Sequence, residues 1–530
     1  MRIFFCIAIL SCLGTAQTFR VSGVVVDGES NAPLKRMRVT LAPSDNRAAQ
    51  IAMLTGEDGT FAFNARQGKY ALTAEHGGSR QTYGLLSAGL GFGSLIITGA
   101  DQDTEHLVFR WFAPGAISGT VMDDRGEPVE GALVQLIRAS VTGGVKRLAT
   151  FGWDRTDDRG HYRFPLAAGT YYLAVTGEPW YASRMNRNFL LPSMPGQQVP
   201  PSTTPTPAYM PAYYPNATDA RAAAPVVLRP RGEAKADFTL LTINGVNVHV
   251  TCSNCTGRKG LLSLLADGLE GVEGFQRQLN FVGRAESITG VPPGRYTVRL
   301  AGAGQDPFSI RKTIDVGASD VNVDLAIQPA PSVSGKVTLK NPNVQPRGTL
   351  YVRLQNETTG SVIARAIGPD GSFSFPNVAV AKFRVIAAGV GGYFASEVSA
   401  EGMTMKNGVI DVTDGASIQL KITASDETGR LHGFVMKGEK PVPGLLAVLA
   451  PAHGGEPYRY RGFQTDSDGS FDFTGMPAGD YILFAVDKLD LEYQSAEAVR
   501  PYLSTGKPVR IAAHGEYSEN ISLAATKQKE

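Results

Sequence analysis

The chain has 530 residues, with 51 basic against 49 acidic side chains and 43% hydrophobic residues. A net charge of +2 excludes the basic domain of an ordinary nucleic-acid binder, and a mean hydropathy of −0.09 with 19% charged residues excludes a disordered polyampholyte and a membrane-embedded chain. Sixty glycines and 32 prolines favour a turn-rich chain of about three to five domains.

The first element is an address. Met1-Arg2 precedes an apolar run from Ile3 to Leu13, and Gly14-Thr15-Ala16 precedes Gln17. A positive start, a short apolar core and a small-x-small site read as a secretory signal peptide, residues 1–16, cut between Ala16 and Gln17. The run is too short to span a bilayer, which takes about 20 apolar residues. Ile9-Leu10-Ser11-Cys12 offers an alternative, lipid anchoring at Cys12. No later stretch reaches transmembrane length, so the expectation is an exported protein, periplasmic or extracellular.

Beyond the leader, one strand opening recurs five times: Val21-Ser22-Gly23-Val24, Ile117-Ser118-Gly119-Thr120, Ile243-Asn244-Gly245-Val246, Val333-Ser334-Gly335-Lys336 and Leu431-His432-Gly433-Phe434. A second signature follows in four of the segments: Asp58-Gly59-Thr60-Phe61-Ala62-Phe63, Asp158-Arg159-Gly160-His161-Tyr162-Arg163-Phe164, Asp370-Gly371-Ser372-Phe373-Ser374-Phe375 and Asp468-Gly469-Ser470-Phe471-Asp472-Phe473. The two glycines are 36 residues apart in the first, fourth and fifth copies and 41 in the second. Asp-Gly supplies a turn with positive φ and predicts a hairpin, and the aromatic-x-aromatic alternation puts two rings on one sheet face. Gly-x-Tyr then opens another alternating strand at Tyr70, Tyr171, Tyr296 and Tyr481, and an apolar triplet closes each unit, as at Ile521-Ser522-Leu523. No segment sustains a 3.6-residue apolar period with caps. The fold expected is all-β: a tandem array of about five Ig-like β-sandwich domains. They are placed at 17–113, 114–241, 242–329, 330–425 and 426–530.

These motifs, with Pro128 to Leu136 reading Pro-x-x-Gly-Ala-x-Val-x-Leu, resemble the carboxypeptidase regulatory-like domain over essentially the whole mature chain. The third segment departs from the pattern, with Arg284 at the turn-glycine position and Glu286 at that of the first aromatic. The resemblance implies a small β-sandwich of transthyretin-like topology with an accessory role. It implies no catalysis and no cofactor, because the family's catalytic residues belong to a separate domain.

Within the second segment, ten prolines fall between Pro192 and Pro230, and an insertion is placed at about 185–224. Read alone it is a stiff linker, yet closing strands follow it, so it interrupts a domain. Trp180, Tyr181, Tyr209, Tyr213 and Tyr214 flank it. They either pin the loop to its own sandwich or form a stacking platform for a sugar or peptide. Gly89-Leu90-Gly91-Phe92-Gly93-Ser94 lacks the strand–turn–helix context of a phosphate cradle and reads as a flexible loop.

In the third segment Cys252-Ser253-Asn254-Cys255 holds the two cysteines left after leader removal. In an oxidising compartment they are expected to form a disulfide. A redox pair would sit at a helix N-terminus, whereas this one follows an alternating strand, and Arg258 and Lys259 are its nearest cations. In the fifth, His453-Gly454-Gly455-Glu456 with His514 matches the start of a zinc-peptidase pattern, but the spacing to the second His is short and the context is a loop. Asp466-Ser467-Asp468-Gly469 lacks the remaining ligands of a calcium loop, and its acids are assigned to their own turn backbone.

The reading is an exported, non-catalytic scaffold or binding protein of the cell envelope. Its partner is a polysaccharide, by analogy of fold alone, or a cell-surface protein. The alternatives are a hydrolase with its site in the second-segment insertion and a thiol-disulfide protein using Cys252 and Cys255.

Overall fold

In the computed structural model, residues 17–523 are described except 86–92, 143–144, 186–205, 256–257, 270–271, 273, 275, 283–284, 303–307, 327–330, 345, 347, 390–391, 404, 406–407 and 414. Residues 1–16, read from the sequence as a signal peptide, with Cys12 and Ala16, and the turn position Arg284 lie outside the described residues. About 59% of the chain is strand and 5% helix, distributed over a series of β-sandwich units. Apolar clusters form the five cores, built around Phe109, Phe238, Phe281, Phe375 and Phe471 in chain order.

The first sandwich shows the plan. Thr18–Asp27 is the middle strand of one sheet, antiparallel to Thr60–Arg66 and parallel to Leu107–Trp111. The facing sheet runs Ile51–Leu54, Arg38–Pro43, Gly68–His76, with Ser79–Thr82 and Leu95–Thr98 both on the last of these. Strict alternation along Thr60–Arg66 turns Phe61, Phe63 and Ala65 inward, as a half-buried strand requires. The fourth copy differs: its strands join into one eight-stranded sheet, linked through Phe394–Ala400.

The opening glycines now have a cause. A Cβ at Gly23 would lie 2.0 Å from the Leu107 carbonyl oxygen, at Gly119 2.0 Å from that of Ala236, at Gly335 2.0 Å from that of Leu420, and at Gly433 1.9 Å from that of Glu519. In these four copies the returning chain, leading into or along the parallel closing strand, passes where a side chain would project; in the third a Cβ at Gly245 would instead meet the Gly290 backbone at 2.6 Å, on the antiparallel neighbour. The first and last signatures of the repeat are two halves of one contact.

The Asp-Gly turn does have the expected backbone, with φ of 75°, 75°, 82° and 79° at Gly59, Gly160, Gly371 and Gly469. It is not a hairpin. Ile51–Leu54 pairs in one sheet and Thr60–Arg66 in the other, and Arg461–Gln464 and Ser470–Pro477 divide in the same way. The turn is a corner that carries the chain across the sandwich, because the strands on either side find better partners elsewhere.

Two side-chain clips recur around it. Thr55 Oγ1 donates to the Leu34 carbonyl and accepts from Met37 N–H; Thr156 does the same with Val129 and Ala132, and Thr465 with Val442 and Leu445. Tyr70, Tyr171, Tyr296 and Tyr481 each donate a hydroxyl proton to the carbonyl four residues earlier, at 3.1, 2.9, 2.9 and 2.7 Å. That is the tyrosine-corner device of sandwiches. Thr156→Val keeps the shape but strands the buried Ala132 N–H, so it should lower the stability of the second sandwich by about 1–3 kcal/mol. Urea unfolding measures this, and an unchanged midpoint would remove the clip from the account.

Candidate functional site

The five flanking aromatics separate into two groups. Tyr209 and Tyr213 are each 5% exposed, so neither ring offers a face for stacking. Tyr209 packs into the second core; burial, with the Asp123 carboxylate beside it, pushes its phenol above the ordinary value. Tyr213 joins Ile137 and Ala174 against Leu269 and Val272 of the third sandwich. Tyr214 is half-buried, edge-on to Phe238 at 6.3 Å. Trp180 is 59% exposed and stands edge-on to Tyr181 at 5.6 Å. The buried Tyr181 hydroxyl meets no hydrogen-bond partner among the described residues.

The rings hold the insertion to its own sandwich, while its backbone also reaches the next one: Thr206–Tyr209 pairs antiparallel with Thr242–Cys252, as an edge strand of the third sandwich's sheet. Pro207 is tolerated there because an edge strand needs only one row of N–H groups. Three residues later Ala212–Tyr213 pairs with Gly169–Thr176 of the second sandwich. The insertion therefore bridges two domains.

Sequence reasoning missed a second aromatic surface. Of the three tryptophans, Trp111 is buried, whereas Trp153 is 67% exposed, as is Phe151 at 48%. Both lie on Val145–Arg155, the outermost strand of its sheet. The Arg138 guanidinium sits 3.9 Å over the Phe151 ring. The register sets Trp153 opposite Gln135 and Gln135 opposite Ala174, and Trp180 opens the short helix, Trp180–Met185, that follows this last strand. Trp153 thus lies on the edge strand of this sheet, and Trp180 follows the strand two places further in. The only local signal was Phe151-Gly152-Trp153, an alternation of large rings at a position the repeat fills with smaller residues in other copies.

Elsewhere the chemistry resolves into structure. Cys252 and Cys255 are joined in a disulfide, with Cys255 wholly buried in the third core and Arg258 turned over the Phe308 ring. Glu456 of the His-x-x-Glu stretch is held by Arg384 of the fourth sandwich. No cluster of three or more His, Cys, Asp or Glu with metal-holding geometry occurs among the described residues, and no described helix is long and apolar enough to cross a membrane. A cleft of about 340 Å³ in the third sandwich is lined by Asp267, Arg295, Thr297 and Thr313 opposite Leu265 and Val272. It holds no aromatic ring, and Arg295 is paired with Asp315 at 2.9 Å.

Asp468 caps its own turn at Ser470 N–H, as assigned; Asp466 does not. Its carboxylate is 2% exposed and reaches the first sandwich, accepting from Leu95 N–H at 3.1 Å and from Lys69 Nζ at 3.2 Å. Burial raises its pKa, with Lys69 pulling the other way. Around it Gly93 N–H donates to Gln464, Ser94 Oγ to the Thr465 carbonyl, Ile97 N–H to Ser467 Oγ, and Ser467 N–H to the Leu95 carbonyl. Residues 89–92 of the glycine loop lie outside the described residues, but Gly93 and Ser94 at its end are bound into this seam. The first and fifth sandwiches therefore touch.

Comparisons with known proteins place the second sandwich. Residues 116–192 match the family model of the carboxypeptidase regulatory-like domain. No curated protein matches the chain. Among solved structures, the TIE protein of Bacillus anthracis is 11% identical, covering 77% of this chain and 75% of its own, with a TM-score of 0.16. The shaft pilin SpaA of Lactobacillus rhamnosus GG, as its E139A mutant, is 12% identical, covering 43% and 97%, with a TM-score of 0.20. Two B repeat units of the Staphylococcus aureus collagen binding protein are 10% identical, covering 77% and 100%, with a TM-score of 0.12.

Proposed function

We propose that this chain, whose second sandwich is a carboxypeptidase regulatory-like domain, is an exported, non-catalytic binding scaffold of the cell envelope that holds a polysaccharide on the aromatic end of that sandwich. One observation carries the reading: Trp153 and Phe151 are exposed on the outermost strand of one sheet, with Arg138 over the Phe151 ring, and Trp180 is exposed at the head of the helix that follows another strand of the same sheet. Flat rings with polar edges suit sugar faces and cost little conformational entropy to hold. The apolar leader supports export, and polysaccharide is preferred to a protein partner because flat, polar-edged indoles suit the faces of sugar rings.

The test is a panel of envelope and plant polysaccharides assayed by calorimetry with the full chain. At least one should bind, and Trp153→Ala and Trp180→Ala should each weaken it by about tenfold without altering the melting of the second sandwich. A blank panel, or a ligand indifferent to both substitutions, would remove this site.

A further inference from the structure

The seams between sandwiches are of two physical kinds. The second and third share a sheet through Thr206–Tyr209 and an apolar cluster of Ile137, Ala174, Tyr213, Leu269 and Val272. The first and fifth meet through hydrogen bonds and one ion pair, and no apolar cluster of the described residues crosses between them. Apolar seams of interior character are lasting, whereas small polar ones resemble transient interfaces and permit domain motion. The first sandwich is otherwise tied to the second by its connecting chain and by Arg231, which pairs with the buried Asp27 and lies 3.6 Å from Glu29.

We propose that the seam between the first and fifth sandwiches is a dissociable latch, and that the two faces it releases dock a second copy of this chain. The faces are already complementary: the strand edge of Leu95–Thr98 with Lys69 on one side, and the Gln464–Ser467 turn with its buried Asp466 on the other. They sit in domains at opposite ends of the repeat. A contact between two different patches is heterologous, so when formed between copies it does not close on itself but continues head to tail. Within one chain the partner face is present at an effective concentration on the order of millimolar, so dilute protein closes on itself. Crowded or transiently opened protein exchanges partners. No new surface is needed for the exchange, because each copy offers the face that another has lost.

The test mixes isotopically heavy and unlabelled full-length chains, opens them in moderate urea, and returns them to buffer at high concentration. Light scattering should show dimers and longer species. Lysine cross-links should join Lys69 of one isotope to Lys437 or Lys440, in the fifth sandwich, of the other. Lys69→Glu sets a carboxylate against Asp466, and its side chain is 44% exposed, so the domain folds around it. Ser467→Trp blocks the opposite face. Ser467→Trp should cut the mixed-isotope cross-links by about tenfold, Lys69→Glu, which removes the cross-linked lysine, should cut the dimers and longer species seen by light scattering to a similar degree, and each should enlarge the radius of gyration of the monomer, with circular dichroism unchanged. Native chains that stay monomeric throughout, cross-links that join other faces, or variants that associate as readily as the native chain would each overturn the proposal.

Discussion

An alanine at Gly433 should melt the fifth sandwich far below the other four. Its Cβ would lie 1.9 Å from the Glu519 carbonyl oxygen and 3.1 Å from the Phe471 ring. Neither neighbour can give way easily. Glu519 N–H is tied to the His432 carbonyl at 2.9 Å and Asn520 accepts from Phe434 N–H at 3.0 Å, so moving the carbonyl unzips the closing strand on both sides of it. Phe471 is 1% exposed and packed in the core. Strain of this kind costs about 3 kcal/mol or more, and for a domain of this size each kcal/mol is roughly 4–8 °C. Calorimetry should therefore show one transition displaced downward by about 12 °C or more. Gly438→Ala is the control: its φ is 65°, but no atom lies within 4 Å of the added Cβ, so only backbone strain of about 1 kcal/mol is expected. Similar shifts from the two substitutions would show that the close approach of the closing strand is not what fixes the glycine.

The second large effect belongs to Tyr209. Removing a buried aromatic ring costs about 3–5 kcal/mol, and here the loss falls on two domains. The ring fills the second core, while its backbone is laid against Thr242 at the head of the third sandwich's central strand. Thr242 Oγ1 in turn donates to Asp124 at 2.6 Å, and Glu178 pairs with Arg277 across the same seam at 2.8 Å. In the native chain the second and third sandwiches should unfold as one cooperative unit. Tyr209→Ala should split that transition in two, while Tyr209→Phe, which keeps the ring, should leave it joined. A single transition in the alanine variant would mean that the shared strand does not couple the domains.

What was legible in the sequence was local. An Asp-Gly step forces a turn wherever it stands, and Phe-x-Phe or Gly-x-Tyr shows which face of a strand is buried, so the repeat, the strand content and the turn glycines could all be read from short windows. What could not be read was pairing over distance. The turn signature reads as a hairpin because a window of ten residues cannot show that its two arms join different sheets. Gln464-Thr465-Asp466-Ser467 reads as an ordinary turn because half of what it binds is backbone N–H and carbonyl of residues about 370 positions away, and backbone has no sequence signature. Thr206-Pro207-Ala208-Tyr209 was hidden by composition: prolines argue for a linker, yet an edge strand accommodates one. The aromatics failed for a related reason. Composition cannot tell a ring that pins a loop, like Tyr213, from one that faces solvent, like Trp153.

The direction of the closing strands has a mechanical meaning. Thr18–Asp27 with Leu107–Trp111, Thr242–Cys252 with Val321–Leu325, and Ser332–Leu339 with Ser417–Ser425 all run parallel and side by side. The chain thus enters each of these domains at one end of a strand pair and leaves it at the other. A pull on the two ends slides the strands along each other and loads their slanted, evenly spaced bonds together in shear. It cannot peel them apart one by one. Tension on the two ends of such a domain is then borne by the whole ladder at once.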